Sequence, residues 1–313
     1  MTMDIGVMVP RDLRADQVLP FARRAEHLGF DELWVVEDLG FRGGIAQTAA
    51  VLAATERITV GVGILPVAAR NVAFAAMEIA SLAELFPGRV HLGLGHGMPD
   101  WMRQVGAWPT SILTQFDEYL TALRALLAGQ EVTVDGRYVH LDGVRIAAPD
   151  QIPPLLAGVR GPRSLALAGR IADGTVLAEP VTPEYLRAAR GQIGDHPGHR
   201  VVGYNAAAVG PDGDEARRRV RPGLAWIGDP DWAVHIDPLP FAADLRELRA
   251  RTPDRAEFAA ALPDAWVDQL AITGTPEQAR ARLSELDEAG ADAMVLIPAG
   301  DPMTALESLA TLV

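Results

Sequence analysis

Three features of the 313-residue sequence predict a (β/α)8 TIM barrel with an insertion of short helices near its C-terminal mouth. Eight short apolar runs recur along the chain, helical segments separate most of them, and strands buried on both faces and joined through helices form parallel sheets. Eight such strands close into a barrel more readily than they stay open, although a doubly wound sheet shares the pattern. The length suits one large barrel, a fold of roughly 250 residues before insertions. The whole chain, 1–313, therefore reads as one barrel domain.

The first apolar run, 3–9, stops at Pro10, after which Asp16 is placed to cap a helix whose Phe21, Ala25 and Leu28 share a face and whose stop is Gly29. The second strand, 33–36, leads through Glu37-Asp38 and Gly43-Gly44 into a helix over 45–55. The third, 58–65, ends at Pro66, and Asn71 is positioned to cap an alanine-rich helix reaching Phe86. A turn at Pro87-Gly88 introduces the fourth strand, 89–94, and a glycine-rich loop. Residues 111–127 carry apolar side chains at helical spacing, and 132–141 read as a small hairpin outside the barrel, turning at Asp135-Gly136. The remaining strands are 155–158, 174–178, 201–209 and 293–297. Thr275-Pro276-Glu277-Gln278 forms a capping box, Gly290 stops that helix, and a last helix covers 303–312. Residues 210–270, broken by Pro211, Pro222, Pro230 and further prolines, are the insertion.

Composition narrows the function. Hydrophobic residues make up 49% and charged residues 22%, enough for a large core. A net charge of −13, from 28 basic and 41 acidic side chains, opposes phosphate backbones and anionic lipid, so neither nucleic acid nor membrane is expected as a partner. Without cysteine there are no disulfides or thiolate chemistry, and the histidines show no ligand spacing, so no metal site is expected. No apolar run approaches the ~18 residues of a membrane span, and residues 1–10 lack a basic-then-apolar leader, so the expected location is the cytoplasm.

In such a barrel chemistry sits at the C-terminal ends of the strands. That rule selects Glu37 and Asp38, Gly63 and Ile64, His96, Arg160 and Gly161, and Glu179. Gly93, Gly95 and Gly97 alternate along a strand end, so they leave one face without side chains: either a bend or bulge, or room for a flat ligand. Glu37-Asp38 reads equally as a helix N-terminal signal or as catalytic carboxylates. His96, between two glycines, suits proton transfer or a hydrogen bond to a ligand. In Ala157-Gly158-Val159-Arg160-Gly161-Pro162-Arg163-Ser164 a strand end, a turn and a helix start combine with two arginines, an arrangement suited to a phosphate.

The stretches G-F-D-E-L-W-V-V-E-D, E-R-I-T-V-G-V-G-I-L-P-V, P-G-R-V-H-L-G-L-G-H-G, P-P-L-L-A-G-V-R-G-P-R-S-L-A-L-A-G-R-I-A-D-G and T-G-T-P-E-Q-A-R together resemble the bacterial luciferase-like flavin-dependent oxidoreductases, in particular the branch using the deazaflavin coenzyme F420. The resemblance covers most of the chain outside roughly 211–269. It implies a barrel, often dimeric, with a flavin-type ring at the mouth, a non-prolyl cis peptide at Gly63-Ile64 behind the ring, and the coenzyme phosphate at Val159, Arg160 and Gly161. Gly95, His96, Gly97, Arg163 and Glu179 complete the expected coenzyme site, with Arg103 a further candidate for an anionic tail. Many relatives carry Asp-His after the strand-two tryptophan where this chain has Glu37-Asp38, so that work is expected to pass to Asp38, to His96 or to the substrate itself, and the substrate class does not transfer. The expected activity is hydride transfer between F420 and a small organic molecule. An FMN-dependent monooxygenase served by a separate flavin reductase, and a non-catalytic flavin-binding barrel, are the alternatives.

Overall fold

The computed structural model describes residues 3–313; Met1 and Thr2, part of the stretch read for a leader, lie outside the described residues. Its strands are β1 (Asp4–Met8), β2 (Glu32–Val35), β3 (Thr59–Pro66), β4 (Val90–Gly95), the hairpin β5 (Val132–Asp135) and β6 (His140–Val144), then β7 (Leu155–Gly158), β8 (Gly174–Leu177), β9 (Arg200–Val209), β10 (Ile272–Gly274) and β11 (Ala293–Pro298). Parallel pairing runs β1-β2-β3-β4-β7-β8-β9-β11 and returns to β1, which closes an eight-stranded barrel. The hairpin stands apart as a two-stranded sheet.

β10 is the one strand the sequence did not signal. β9 outruns its neighbour: β8 pairs with Arg200–Gly203, and β10 pairs further along with Ala207, Ala208 and Val209. At three residues β10 is too short to show a period. The insertion is more regular than its prolines suggest. It contains helices Gly213–Val220, Ala242–Arg251, Arg255–Ala261 and Asp264–Leu270, which share a core with Ala206 and Ala208 of β9 around Phe258, Leu245 and Ile236.

Caps set most helix ends where the sequence placed them. Asn71 accepts from the Ala73 N–H, Thr275 and Gln278 complete their capping box, and Gly29, at φ 94°, ends the first helix in the left-handed region. Asp16 departs from expectation. The helix Ala15–Leu28 starts before it without a side-chain cap, and Asp16 sits in the first turn, paired with Arg14 at 3.0 Å. A carboxylate there complements the helix dipole instead of capping it.

Trp34, Leu156, Val176, Val202, Tyr204, Ala293 and Val295 fill the barrel, and Met8, Ile64 and Ile297 lie partly exposed against them. Glycine makes room for the two large rings, which meet edge to face at 5.8 Å. A Cβ on Gly61 would stand 2.3 Å from the Trp34 ring, and one on Gly63 would stand 2.3 Å from the Tyr204 hydroxyl oxygen. Glu32, 2% exposed, closes the N-terminal end. It accepts from Trp34 Nε1 and Arg200 Nη2, both at 2.8 Å, and lies 3.2 Å from His91. Burial pushes its carboxyl up, but the bond from His91 and the charges of His91 and Arg200 outweigh burial and hold it below the usual range.

Candidate active site at the barrel mouth

The peptide between Gly63 and Ile64 is cis, as the resemblance implied, and pairing with β4 slips between Val62 and Leu65. This bulge turns Ile64 across the glycines of neighbouring strands. A Cβ on Gly158 would meet Ile64 Cγ2 at 2.3 Å, and one on Gly95 would meet Ile64 Cδ1 at 3.1 Å and the Gly158 carbonyl at 2.4 Å. Ile64 therefore covers the face left bare by Gly93, Gly95 and Gly158, and the bulge lies on β3, while β4 pairs with β7 without a break through Gly95. What a ligand meets at this point of the mouth is Ile64. Gly97 differs: it turns at φ 72° beneath Pro66 and Met102.

Glu37 and Asp38 leave β2 together and then part. Arg70 Nη1 and Nη2 donate to the two Glu37 oxygens at 2.5 and 2.7 Å, and the Gly44 N–H donates to Oε2 at 2.6 Å. Both oxygens are thus occupied, one of them at the start of helix Gly44–Ala54, and Glu37 is an anchor for that helix rather than a free base. Asp38 turns to the β1 loop and accepts from Arg11 Nη1 at 2.7 Å, while the Arg11 guanidinium lies over Phe41.

His96 packs edge-on against Phe116, and its Nε2 lies 3.2 Å from the Ser164 hydroxyl. Burial pushes the imidazole down to about 4, so at neutral pH the ring is uncharged and suits a hydrogen bond better than proton donation as imidazolium. Ser164 belongs to helix Pro162–Ile171, whose N-cap is Gly161. The first intrahelical donor there is Leu165, so the Arg163 and Ser164 N–H groups precede the hydrogen-bonded ladder. Gly161 opens onto free space, Val159 is buried below it, and Arg163 is exposed. Arg160 stacks over Trp232 at 5.0 Å, and its carbonyl accepts from the Tyr185 hydroxyl at 3.3 Å. Arg103 stays within its own segment, in the helix Pro99–Gln104, bonded to Asp100 at 2.8 Å and lying over Trp108.

Past β8 the chain is clamped from two sides. Trp232 Nε1 donates to the Glu179 carbonyl at 3.0 Å, the Glu179-Pro180 peptide is cis, and the Asn205 amide exchanges two 2.8 Å hydrogen bonds with the backbone of Val181. Burial pushes the Glu179 carboxyl up and the Asp38 charge adds to it, while Arg11 and Arg160 oppose the rise.

The family model described as luciferase-like monooxygenase matches residues 3–293. The chain belongs to this family. It is 31% identical to a 5,10-methylenetetrahydromethanopterin reductase of Methanolobus tindarius, over 92% of this chain and 90% of that one. It is 36% identical to an F420-dependent glucose-6-phosphate dehydrogenase of Beutenbergia cavernae over about half of each, 53% and 52%. Among solved structures, the coenzyme F420-dependent tetrahydromethanopterin reductase of Methanopyrus kandleri superposes with a TM-score of 0.86 at 21% identity, covering 100% of this chain and 99% of that one, a likeness of fold.

Within this luciferase-like barrel, Ile64, His96, Arg160, Gly161, Asp38 and Glu179 come to one end, and Glu37 is drawn aside by Arg70. Sequence reasoning missed Arg11, Tyr204, Asn205 and Trp232. Tyr204-Asn205 did carry a signal: a polar pair inside the otherwise apolar run V-V-G-Y-N-A-A-A-V. Trp232 carried none, because the insertion has no period to place it.

Proposed function

We propose that the protein is an F420-dependent oxidoreductase that transfers hydride between the deazaflavin and a small organic substrate at the barrel mouth, as one cytoplasmic barrel domain over 1–313 that works as a homodimer. The observation that carries this reading is the pairing of the Ile64 shelf with the open turn at Arg160-Gly161, an apolar surface next to an anion-favouring helix start. These residues fit the coenzyme's two ends. Gly63 and Ile64 would support the ring, with Gly95, His96 and Gly97 at its edge, and Val159, Arg160, Gly161 and Arg163 would hold the phosphate. The bound coenzyme would supply the hydride chemistry, and the protein position, charge and exclusion of water. The F420 dependence of the glucose-6-phosphate dehydrogenase relative and of the reductase structure supports the choice of coenzyme.

Arg160→Ala tests the phosphate assignment. It is expected to weaken F420 binding by about 1.5–3 kcal/mol, the range for a hydrogen bond to a charged group, read by fluorescence titration with the fold intact by circular dichroism. An unchanged dissociation constant removes Arg160 from the site.

A further inference from the structure

Arg11, Arg70 and Arg200 each hold a carboxylate. Arg160 does not: among the described residues its guanidinium forms no ion pair and lies over the Trp232 ring, 5.0 Å from the centroid. The two residues come from distant parts of the chain, Arg160 from the turn after β7 and Trp232 from the short helix Pro230–Trp232 of the insertion. We propose that Trp232 is a positioning residue for the anion site, holding the Arg160 guanidinium in one orientation so that the insertion acts on the coenzyme phosphate through Arg160. The inference rests on the oxidoreductase reading and adds to it a residue that the insertion contributes.

Trp232 is itself fixed. Its Nε1 donates to the Glu179 carbonyl at 3.0 Å, and the Trp226 ring stands behind it at 6.3 Å, covered in turn by the Arg255 guanidinium at 3.7 Å. Asp229 holds Arg255 at 2.6 Å and lies 3.5 Å from Arg249, so the charge of Arg255 is committed and that of Arg160 is not. The same stretch of the insertion also reaches the Arg160 main chain. His235, in helix Ala233–Ile236, is fully buried; its Nδ1 lies 3.3 Å from the Pro180 carbonyl and its ring 4.4 Å from that of Tyr185. The Tyr185 hydroxyl donates to the Arg160 carbonyl at 3.3 Å. Side chain and main chain of Arg160 are thus both tied to residues 230–236, the first through Trp232 and the second through Tyr185 and His235. A cation over an indole face is attracted by the ring, and this contact consumes neither the charge nor an N–H donor of the arginine, whereas an ion pair would consume both. Binding an anion ordinarily immobilises a long side chain, a loss of about two- to tenfold in affinity that an arginine already held in place avoids. Arg163, exposed and with no aromatic face over it among the described residues, lacks this support.

The test has two readouts: the Trp232 indole N–H resonance of the coenzyme-free protein, with ¹⁵N-labelled tryptophan and assignment from Trp232→Phe, and F420 binding by fluorescence titration. Arg160→Ala is expected to displace the indole resonance. Trp232→Leu is expected to weaken F420 binding about two- to tenfold, and Trp232→Phe, which keeps a ring beside Arg160, to weaken it less. Added to Arg160→Ala, Trp232→Leu is expected to cost nothing more, because the ring then has no guanidinium to position. An indole resonance unmoved in Arg160→Ala, unchanged or tighter binding in Trp232→Leu, equal losses for the Leu and Phe variants, or additive losses in the double variant overturns the inference. If the wild-type protein does not bind F420 at all, the proposed function falls and the positioning role with it, while the indole resonance still judges the Arg160–Trp232 contact.

Discussion

At the scale of single residues, close approach decides what the mouth offers a ligand. Ile64 occupies the space left by Gly158 and Gly95, so Gly158→Ala must push Ile64 outward from a 2.3 Å clash. Overpacking of this kind costs about 1–3 kcal/mol. The variant is expected to lose that much stability in urea denaturation and to bind F420 more weakly as the shelf moves; unchanged stability would mean that Ile64 is free to turn away. At the opposite end, Arg200→Met leaves Glu32 buried with only His91, 3.2 Å away, and the Trp34 Nε1–H as its polar neighbours. Removing one partner of a buried pair costs about 3–5 kcal/mol, and the partial exposure of Arg200 places this case toward the lower figure. The sign with pH follows from the lowered Glu32 carboxyl: its contribution is present above the unfolded-state pKa and is lost as pH falls through the folded value. The stability difference between wild type and Arg200→Met is therefore expected to shrink in acid, and a difference constant with pH would contradict the assignment.

Among the elements, the chain past β8 and the insertion beyond β9 build the wall opposite Asp38. Asn205 holds that wall by bonding both the N–H and the carbonyl of Val181. Asn205→Ala leaves two buried backbone groups unpaired, each costing about 1–3 kcal/mol, and is expected to loosen Glu179 with them. Hydrogen exchange at Val181 should rise well beyond the global change in stability; exchange that tracks global stability alone would show that the clamp is dispensable. The β strands and capped helices were legible because burial on both faces and Asn71, Gly29 and Thr275 are local signals. β10 and the insertion were not, because three residues carry no period and the insertion's helices are set by a shared core rather than by strong periodicity. Asp16 misled for a related reason: a carboxylate serves a first turn as well as it serves a cap.

For the molecule as a whole, the fold could be read from the sequence, but the contacts that the candidate site residues make could not. Spacing could not reveal that Arg70 takes Glu37 or that Arg11 takes Asp38. The central claim is a mouth built for a deazaflavin with a long anionic tail in a protein whose net charge is −13. Such a tail must find Arg160 and Arg163 against an unfavourable background, and a contact made of several charges weakens with salt more than a single phosphate does. Parallel titrations with F420 and FMN at low and moderate salt measure this directly: the account predicts tighter binding of F420, with the steeper loss of affinity as salt rises, and tight FMN binding with no detectable F420 binding would contradict it.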